Sequence, residues 1–250
     1  MQKTSIVIPC YNEGSRLDLE KFHRYLEEQQ AVDFCFVDDG SKDNTYELLE
    51  KFALKHFERV KLVRNSKNMG KAEAVRKGVL HSLSSDSYDF VGYFDADLST
   101  PLCQIGLLRE VLITDSRCIM ALGSRFRHLG ARIERNEMRH YLGRVFSTFA
   151  SIILKLPVYD TQCGAKLVRA ESAAALFKDQ FTSRWLFDVE LLARIITSEG
   201  YEATLREVVE VPLQIWIEKG DSRLNFKSVL RVPFELLKIQ RRYFSGSSKV

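Results

Sequence analysis

The amino-acid sequence predicts an α/β fold with a mostly parallel central sheet and helices on both of its faces. In the first half of the chain, short apolar segments alternate with amphipathic helical segments, and each early apolar segment ends in a polar, turn-forming cluster. The chain of 250 residues is 45% hydrophobic and 28% charged, which suits a large folded core. A β–α–β–α order favours a parallel sheet, because each helix returns the chain to the same edge.

The apolar segments of the first half predict five strands, and the segments between them predict helices. The expected strands cover residues 5–9, 33–37, 60–63, 88–94 and 118–122. The expected helices cover residues 17–29, 44–57 and 71–83, and a fourth begins near Pro101, because a first helical turn tolerates proline.

The pattern changes after Arg125. One long amphipathic helix is predicted over residues 136–156, a second helix over 188–198 and a strand over 202–211. The segment 225–244 is helical in pattern, and Pro233 predicts a break or a restart within it.

Composition narrows the classes of partner and compartment. The net charge is +4 and the basic residues form no single stripe with stacking aromatics, so nucleic acid is not an expected partner. The five cysteines form no Cys-x-x-Cys pair, which favours reduced thiols in a cytoplasmic protein. We find no signal-peptide pattern and no apolar segment of the roughly 20 residues that a membrane-spanning helix needs.

Four polar clusters follow the first four predicted strands. Because the carboxyl ends of parallel strands meet at one edge of a sheet, we expect these clusters to share one crevice. They are the segments 9–13 (PCYNE), 37–41 (VDDGS), 65–71 (NSKNMGK) and 95–99 (DADLS).

The residues in these clusters suit a nucleoside diphosphate. Asp95 and Asp97 are hard oxygen donors that can hold a divalent cation and, through it, a diphosphate. Lys71 begins a predicted helix, where it can meet a phosphate together with the helix dipole. Tyr11 can stack on a base, and Asp38 can accept hydrogen bonds from a base or a ribose. The alternative is that such residues only form turns and helix caps, which we prefer for the segment 43–44.

In this order the segments IVIPCYNE, FVDDGS, NMGKAEAVRKG and FDADLS resemble glycosyltransferase family 2. The later segments GSR, DTQCGAKLVR and WLFDVELL resemble its branch of dolichyl-phosphate glucosyltransferases and polyprenyl-phosphate sugar synthases. The resemblance implies a nucleotide-sugar-binding, Rossmann-like glycosyltransferase A fold. It also implies a catalytic domain over residues 1–215, which leaves an amphipathic helical segment over 216–250.

The resemblance assigns roles to individual residues. It implies that Asp95 and Asp97 hold Mg²⁺ or Mn²⁺ and that Arg125 and Arg139 hold an acceptor phosphate. Asp97, Asp160 and Asp188 are the implied catalytic residues, and Gln162 and the segment 185–190 would shape the sugar side. The implied nucleotide-sugar contacts are Pro9, Tyr11, Glu13, Asp38, Asp39, Lys71, Asp95 and Ala96.

The chain departs from the family at two points. Ala165 stands where the family usually has an aromatic residue, which changes little. The amino-terminal membrane helix of the eukaryotic glucosyl members is absent, so we expect a bacterial-type enzyme on the cytoplasmic face of a membrane.

The arginines of the second half are candidate ligands for the acceptor. Arg135 and Arg139 are four residues apart on the predicted helix, and guanidinium groups bind phosphate bidentately. A solvated basic face is the alternative. We favour that alternative for Arg127, Arg132 and Arg135, and the phosphate role for Arg125 and Arg139.

Two predicted helices, 138–156 and 226–244, carry large apolar residues beside basic ones. Such helices can lie in a lipid interface, with cations at anionic headgroups. Packing against the core or against a partner in a homo-oligomer would explain the same pattern, and the sequence does not separate these alternatives.

The predicted reaction is an inverting, metal-dependent transfer of a hexose to a polyprenyl phosphate, with UDP-glucose as the preferred donor. A phosphate monoester is already anionic near neutral pH and has little need of a general base. The alternatives are a GDP-mannose-dependent synthase, a transferase acting on a glycan hydroxyl with Asp188 or Glu190 as base, and a membrane-associated binding protein without catalysis.

Overall fold

The computed structural model describes residues 2–85, 87–219 and 226–245, except the side chains of Arg139 and of residues 226–231. Its centre is a seven-stranded sheet in the order β3-β2-β1-β4-β7-β5-β8. The strands are β1 Thr4–Cys10, β2 Val32–Asp38, β3 Val60–Arg64, β4 Phe90–Phe94, β5 Met120–Ser124, β7 Ala165–Arg169 and β8 Val208–Pro212. A second, two-stranded parallel sheet joins β6 Arg132–Glu134 to β9 Ile215–Ile217.

Nine helices lie in the described part of the chain. They are α1 Leu19–Glu28, α2 Thr45–Lys55, α3 Lys71–Leu83, α4 Gln104–Thr114, α5 Glu137–Leu154, α6 Ala170–Leu176, α7 Phe187–Glu199, α8 Tyr201–Glu207 and α9 Phe226–Phe244. None of them combines the length and the apolar composition that crossing a bilayer requires.

The sheet separates two hydrophobic cores. Side chains alternate across a strand, so Ile6 and Ile8 belong to the first core and Val7 belongs to the second core. Helices α1, α2 and α4 cover the first face, and α3, α5, α6, α7 and α9 cover the second. The predicted fold class, a mostly parallel sheet with helices on both faces, is confirmed.

Strand β7 is the main exception to the parallel order. It lies between β4 and β5 and is antiparallel to both. The sequence did not predict it, because its five residues include Lys166, which is fully buried. Strand β7 places the segment before it, residues 160–164, against the end of β4.

Two predicted elements were wrong. The strand expected over 202–211 begins only at Val208, because Tyr201–Glu207 forms α8 with Gly200 before it. Helix α9 runs without a break from Phe226 to Phe244 and includes Pro233. Leu236 and Ile239 are buried in the second core, and this packing holds the helix beyond the proline. The domain division after residue 215 stays a prediction.

Candidate active site

The polar clusters after β1 to β4 lie at the carboxyl ends of parallel strands, as predicted. Asp39 shows how the chain builds this edge. Its carboxylate accepts hydrogen bonds from Asn65 Nδ2 at 2.7 Å, from the Met69 amide at 2.9 Å and from the Gly70 amide at 2.8 Å. Asp39 therefore positions the loop that leads into Lys71, and both of its oxygens are used by the protein.

A pocket of about 530 Å³ lies beside β2 and β3. Tyr11 is part of its wall, where the sequence placed a base-stacking ring. The other lining residues are Gly40, Ser41, Lys42, Arg64, Asn65, Ser66, Lys67 and Asn68. The pocket has the size and the mixed polar and cationic lining that a nucleoside needs.

Asp38 is fully buried at this edge. Its Oδ1 accepts the Ser41 amide at 3.2 Å, whereas Oδ2 has no hydrogen-bond partner among the described residues. The Nε atom of Arg64 is 3.7 Å from Oδ2, too far for a hydrogen bond. A buried acceptor oxygen without a donor suits an N–H or O–H group of a ligand.

Pro9 and Glu13 have structural contacts at this edge of the sheet. Pro9 lies in β1 opposite Val37. The Glu13 carboxylate binds Arg16 through two hydrogen bonds, of 2.9 Å and 2.8 Å. The predicted nucleotide contacts of Pro9 and Glu13 stay predictions.

Asp95 and Asp97 lie directly after β4 and are partly exposed. Asp95 Oδ1 is 2.5 Å from Lys71 Nζ, at the first residue of α3. Burial alone would lower the pKa of Lys71, but the carboxylates of Asp95 and Asp188 outweigh it, so the pKa of Lys71 is raised and the ammonium is retained. The Ala96 side chain between the two carboxylates belongs to the first core.

The Asp97 carboxylate is only partly satisfied by the protein. Its Oδ1 accepts the Ser99 amide at 2.9 Å, and none of the described lysines or arginines forms an ion pair with it. Leu98 has a φ of +54°, an unfavourable conformation for a leucine, which the tight turn after Asp97 imposes.

Gly164 joins the two halves of the site. The Asp95 amide donates to the Gly164 carbonyl at 3.1 Å, and a Cβ built on Gly164 would lie 1.9 Å from Asp95 Oδ2. Glycine is therefore required in the DTQCG segment because the Asp95 carboxylate occupies the space of a side chain.

Arg125 and Asp160 form a buried bidentate ion pair. Arg125 Nε is 2.6 Å from Asp160 Oδ2, and Nη2 is 2.8 Å from Oδ1. Burial alone would raise the pKa of Asp160, but the Arg125 guanidinium holds it well below its ordinary value. Asp160 is thus ionised and occupied, and most of the Arg125 guanidinium faces Asp160 rather than an acceptor.

Asp188 and Glu190 are also held by the protein. Asp188 Oδ1 accepts a short hydrogen bond from the Tyr93 hydroxyl and lies 2.6 Å from Lys166 Nζ. Glu190 is fully buried, where its Oε1 accepts from Arg194 at 3.2 Å and from the Tyr243 hydroxyl at 2.8 Å. Neither carboxylate is presented as a free base.

Two positioning residues, Glu210 and Lys166, escaped the sequence prediction. The Glu210 carboxylate on β8 accepts the backbone amides of Tyr159 and Asp160, at 2.7 Å and 2.6 Å. Lys166 donates to the carbonyls of Thr161 and Cys163 from inside the fold. For Lys166 the sequence did contain a signal, because a lysine within the apolar segment AKLVR is expected to be buried, and a buried cation needs a partner.

The donor set of Asp95 and Asp97 fits a divalent cation that is shared with a substrate. The described residues contain no cluster of three or more metal-binding side chains. Mg²⁺ in phosphate-handling sites is commonly bound by one or two carboxylates together with substrate phosphates. Arg139 lies in α5, but its side chain is outside the described part of the chain.

Residues 5–177 match the model of glycosyl transferase family 2. The chain belongs to this family. It is 34% identical to dolichyl-phosphate beta-glucosyltransferase ALG5C of Trichomonas vaginalis, over 97% of this chain and 72% of the relative. It is 31% identical to dolichyl-phosphate beta-glucosyltransferase of Mus musculus, over 98% of this chain and 77% of the relative.

A solved structure supports the same fold. Glucosyl-3-phosphoglycerate synthase of Mycobacterium tuberculosis, crystallised with Mn²⁺ and UDP-glucose, matches with a TM-score of 0.69. The match covers 98% of this chain and 79% of the synthase at 18% identity. Both the predicted family 2 resemblance and the glycosyltransferase A fold are confirmed, and the chain is a glycosyltransferase.

Proposed function

We propose that this family 2 glycosyltransferase transfers glucose from UDP-glucose to a polyprenyl phosphate of the dolichyl type, with inversion at the anomeric carbon. The observation that carries the choice of acceptor is the state of the carboxylates in the second half of the site. Asp160, Asp188 and Glu190 are each buried and hydrogen-bonded to a cation or a hydroxyl. A sugar hydroxyl would need a free base, whereas a phosphate monoester is already anionic at neutral pH.

The relatives support the same acceptor. Several proteins that match nearly the whole chain are named dolichyl-phosphate beta-glucosyltransferase, including those of Mus musculus and Homo sapiens. The acceptor phosphate would attack the anomeric carbon directly, so the protein has to position two anionic substrates rather than move a proton.

Different residues would bind different parts of the donor. Lys71, at the start of α3, would bind a phosphate oxygen of the donor, and Tyr11 would contact the base in the pocket. Asp95 and Asp97 would hold Mg²⁺ or Mn²⁺ together with the diphosphate, where such an ion neutralises the charge of the departing nucleoside diphosphate.

A lipid acceptor also requires access to a membrane, and helix α5 offers an apolar face for it. The exposed residues recur at helical spacing, and Phe149 and Ile152 are 56% and 65% exposed. Helix α9 contacts α5 and exposes Phe234 beside the basic residues Lys238 and Arg241. The full set on α5 is Met138, Tyr141, Leu142, Val145, Phe149 and Ile152.

We infer that α5 and α9 bind the surface of an anionic leaflet, with apolar side chains at the acyl boundary and the cations among headgroups. The free cysteines of the chain suit the reducing, cytoplasmic side of that membrane.

The deciding experiment offers the purified protein UDP-glucose and Mn²⁺ or Mg²⁺ with vesicles that contain dolichyl phosphate. The expected product is a β-linked glucosyl lipid phosphate. GDP-mannose and a soluble glycan acceptor are the competing substrates. Preferred mannosyl transfer would replace the donor assignment, and transfer to the glycan alone would overturn the acceptor assignment.

The same vesicles test the membrane surface. Replacing both Val145 and Phe149 with serine should lower co-sedimentation with anionic vesicles by about tenfold, because two large apolar side chains leave the interface. The matched control replaces Leu54 and Phe57, which are 71% and 68% exposed near the end of α2, with serine. Equal losses in both variants would contradict the assignment of α5.

A further inference from the structure

Arg135 is placed differently from its sequence prediction. The predicted helix over 136–156 begins at Glu137, so Arg135 lies in the short connection between β6 and α5. The side chain is half-buried rather than solvated. It therefore does not belong to the exposed basic face that the sequence suggested.

The guanidinium of Arg135 rests on Gly143. A Cβ built on Gly143 would lie 2.6 Å from Arg135 Nη2 and 3.2 Å from both Cζ and Nη1. Gly143 is inside helix α5, where glycine costs roughly 0.5–1 kcal/mol relative to alanine. The space that the guanidinium occupies gives a physical reason for this glycine.

The neighbouring arginines whose side chains the structure describes all have partners. Arg127 Nη1 is 2.7 Å from Glu137 Oε1, and Arg132 Nε is 2.6 Å from Glu134 Oε1. Arg144 Nη1 donates to the Tyr159 carbonyl at 3.0 Å. By contrast, no described side chain forms an ion pair with Arg135 or accepts a hydrogen bond from its guanidinium.

The electrostatic surroundings of Arg135 favour an anion. Burial, together with the positive charge of Arg125, outweighs the carboxylates of Asp160 and Glu218 and lowers the pKa of Arg135 to about 10, so the side chain stays protonated at neutral pH. Glu134, the residue before Arg135, pairs with Ile217 of β9, and the Ile217 amide donates to the Ser99 carbonyl at 2.9 Å, which places this connection beside the segment 95–99. A half-buried cation beside a second guanidinium is stabilised when an anion binds.

We propose that Arg135, seated on Gly143, is a cation that binds the phosphate of the acceptor. The proposal rests on the proposed function and identifies a ligand of the acceptor within it. Arg125 Nε and Nη2 are occupied by Asp160, whereas Arg135 offers a guanidinium that the described residues leave open for bidentate contact with a phosphomonoester.

The first test replaces Arg135 with glutamine. The KM for dolichyl phosphate should rise about 10- to 100-fold, which corresponds to the loss of charge-assisted hydrogen bonds. The KM for UDP-glucose should stay within about twofold, because Lys71 and the Asp95 side bind the donor. The control is Arg132→Gln, which removes an exposed arginine paired with Glu134 and should change neither KM.

The second test keeps the Arg135 guanidinium but fills the space against Gly143 in which it lies. Gly143→Ala places a methyl group against the guanidinium, which is the flexible end of a side chain and can move without unfolding the helix. The KM for dolichyl phosphate should again rise while thermal stability is maintained. The control is Gly106→Ala in α4, where an added Cβ has nothing within 4 Å.

A measurement of lipid-phosphate binding without transfer tests the role of Arg135 separately from the proposed function. Binding of a short-chain polyprenyl phosphate, without donor, is measured by calorimetry for the wild type and for Arg135→Gln. If the wild type binds the lipid phosphate and the variant binds it equally well, Arg135 is not its ligand, whether or not transfer occurs. A variant that raises only the KM for UDP-glucose overturns the proposal as well, and a wild type that neither binds nor glucosylates the lipid overturns both.

Discussion

Asp95 and Asp97 are partly exposed at the end of β4, whereas Asp160 and Asp188, in the second half of the chain, are buried and held by cations. Asp97 keeps one oxygen that no described cation pairs with. Asp160 uses both oxygens on Arg125, and Asp188 lies against Lys166 and Tyr93. Four aspartates in similar-looking motifs thus have different surroundings.

The surroundings of a carboxylate distinguish one that can bind substrate from one that is structural. A carboxylate with an open oxygen at a crevice can receive a ligand, and one that is buried in an ion pair already has its counter-charge. In this molecule the buried pairs flank the DTQCG segment, whose Gly164 lies against Asp95.

The largest expected effect is on Asp97. Asp97→Asn should lower glucosyl transfer by about a thousandfold or more, because the open carboxylate that we propose as a ligand of the metal and diphosphate loses its charge. Thermal stability should stay near that of the wild type. The assay is transfer to dolichyl phosphate with both substrates saturating.

Asp115→Asn is the control for this change, since Asp115 is also a partly exposed aspartate, and it is paired with Arg117 at the end of α4. Near-normal turnover by Asp97→Asn would contradict the role proposed for Asp97, because its carboxylate would then be as dispensable as that of Asp115.

Asp188→Asn should affect stability. The change leaves Lys166 buried without its counter-charge, at a cost of about 3 to 5 kcal/mol in the free energy of unfolding. Urea denaturation measures the loss, and Asp115→Asn, at a surface ion pair, should change the free energy of unfolding little. Adding Lys166→Met to Asp188→Asn should restore part of the stability.

A stable Asp188→Asn protein without activity would reverse this assignment. Asp188 would then act on the reactants, as the sequence prediction had it, and a hydroxyl acceptor would become the better hypothesis.

The smallest expected effect is the pH dependence of the Arg125–Asp160 pair. The pKa of Asp160 is lower in the folded protein than its value of about 3.9 in an unfolded chain, because Arg125 outweighs the effect of burial. The pair therefore stabilises the fold fully above about pH 4, and this contribution is lost as the pH falls towards the folded pKa.

The measured quantity is the difference in the free energy of unfolding between the wild type and Asp160→Asn. This difference should be constant between about pH 5 and 7 and should decrease by about 2 kcal/mol in acid. Urea titrations at each pH provide the measurement. A difference that does not change with pH would mean that the pair adds no stability through the charge of Asp160.

The fold of the first half could be predicted almost completely from the sequence. Helix α3 has the predicted bounds Lys71–Leu83, and β1 to β4 lie within two residues of their predicted positions at each end. Periodicity and turn residues act over a few neighbours, so the chain itself carries the signal. The second half was predicted less well because β7, β6 and β9 form only through partners that are distant in sequence.

The amino-acid sequence alone is enough to predict the alternation of strands and helices, the four polar clusters at one sheet edge and membership of glycosyl transferase family 2. The tertiary structure decided which charges meet. Arg125 is 35 positions from Asp160 in sequence, and Arg135 lies on a glycine of the following helix. Local pattern determines where a charged residue can be placed along the chain. The folded packing determines whether that charge has a partner, because the partner comes from another part of the chain.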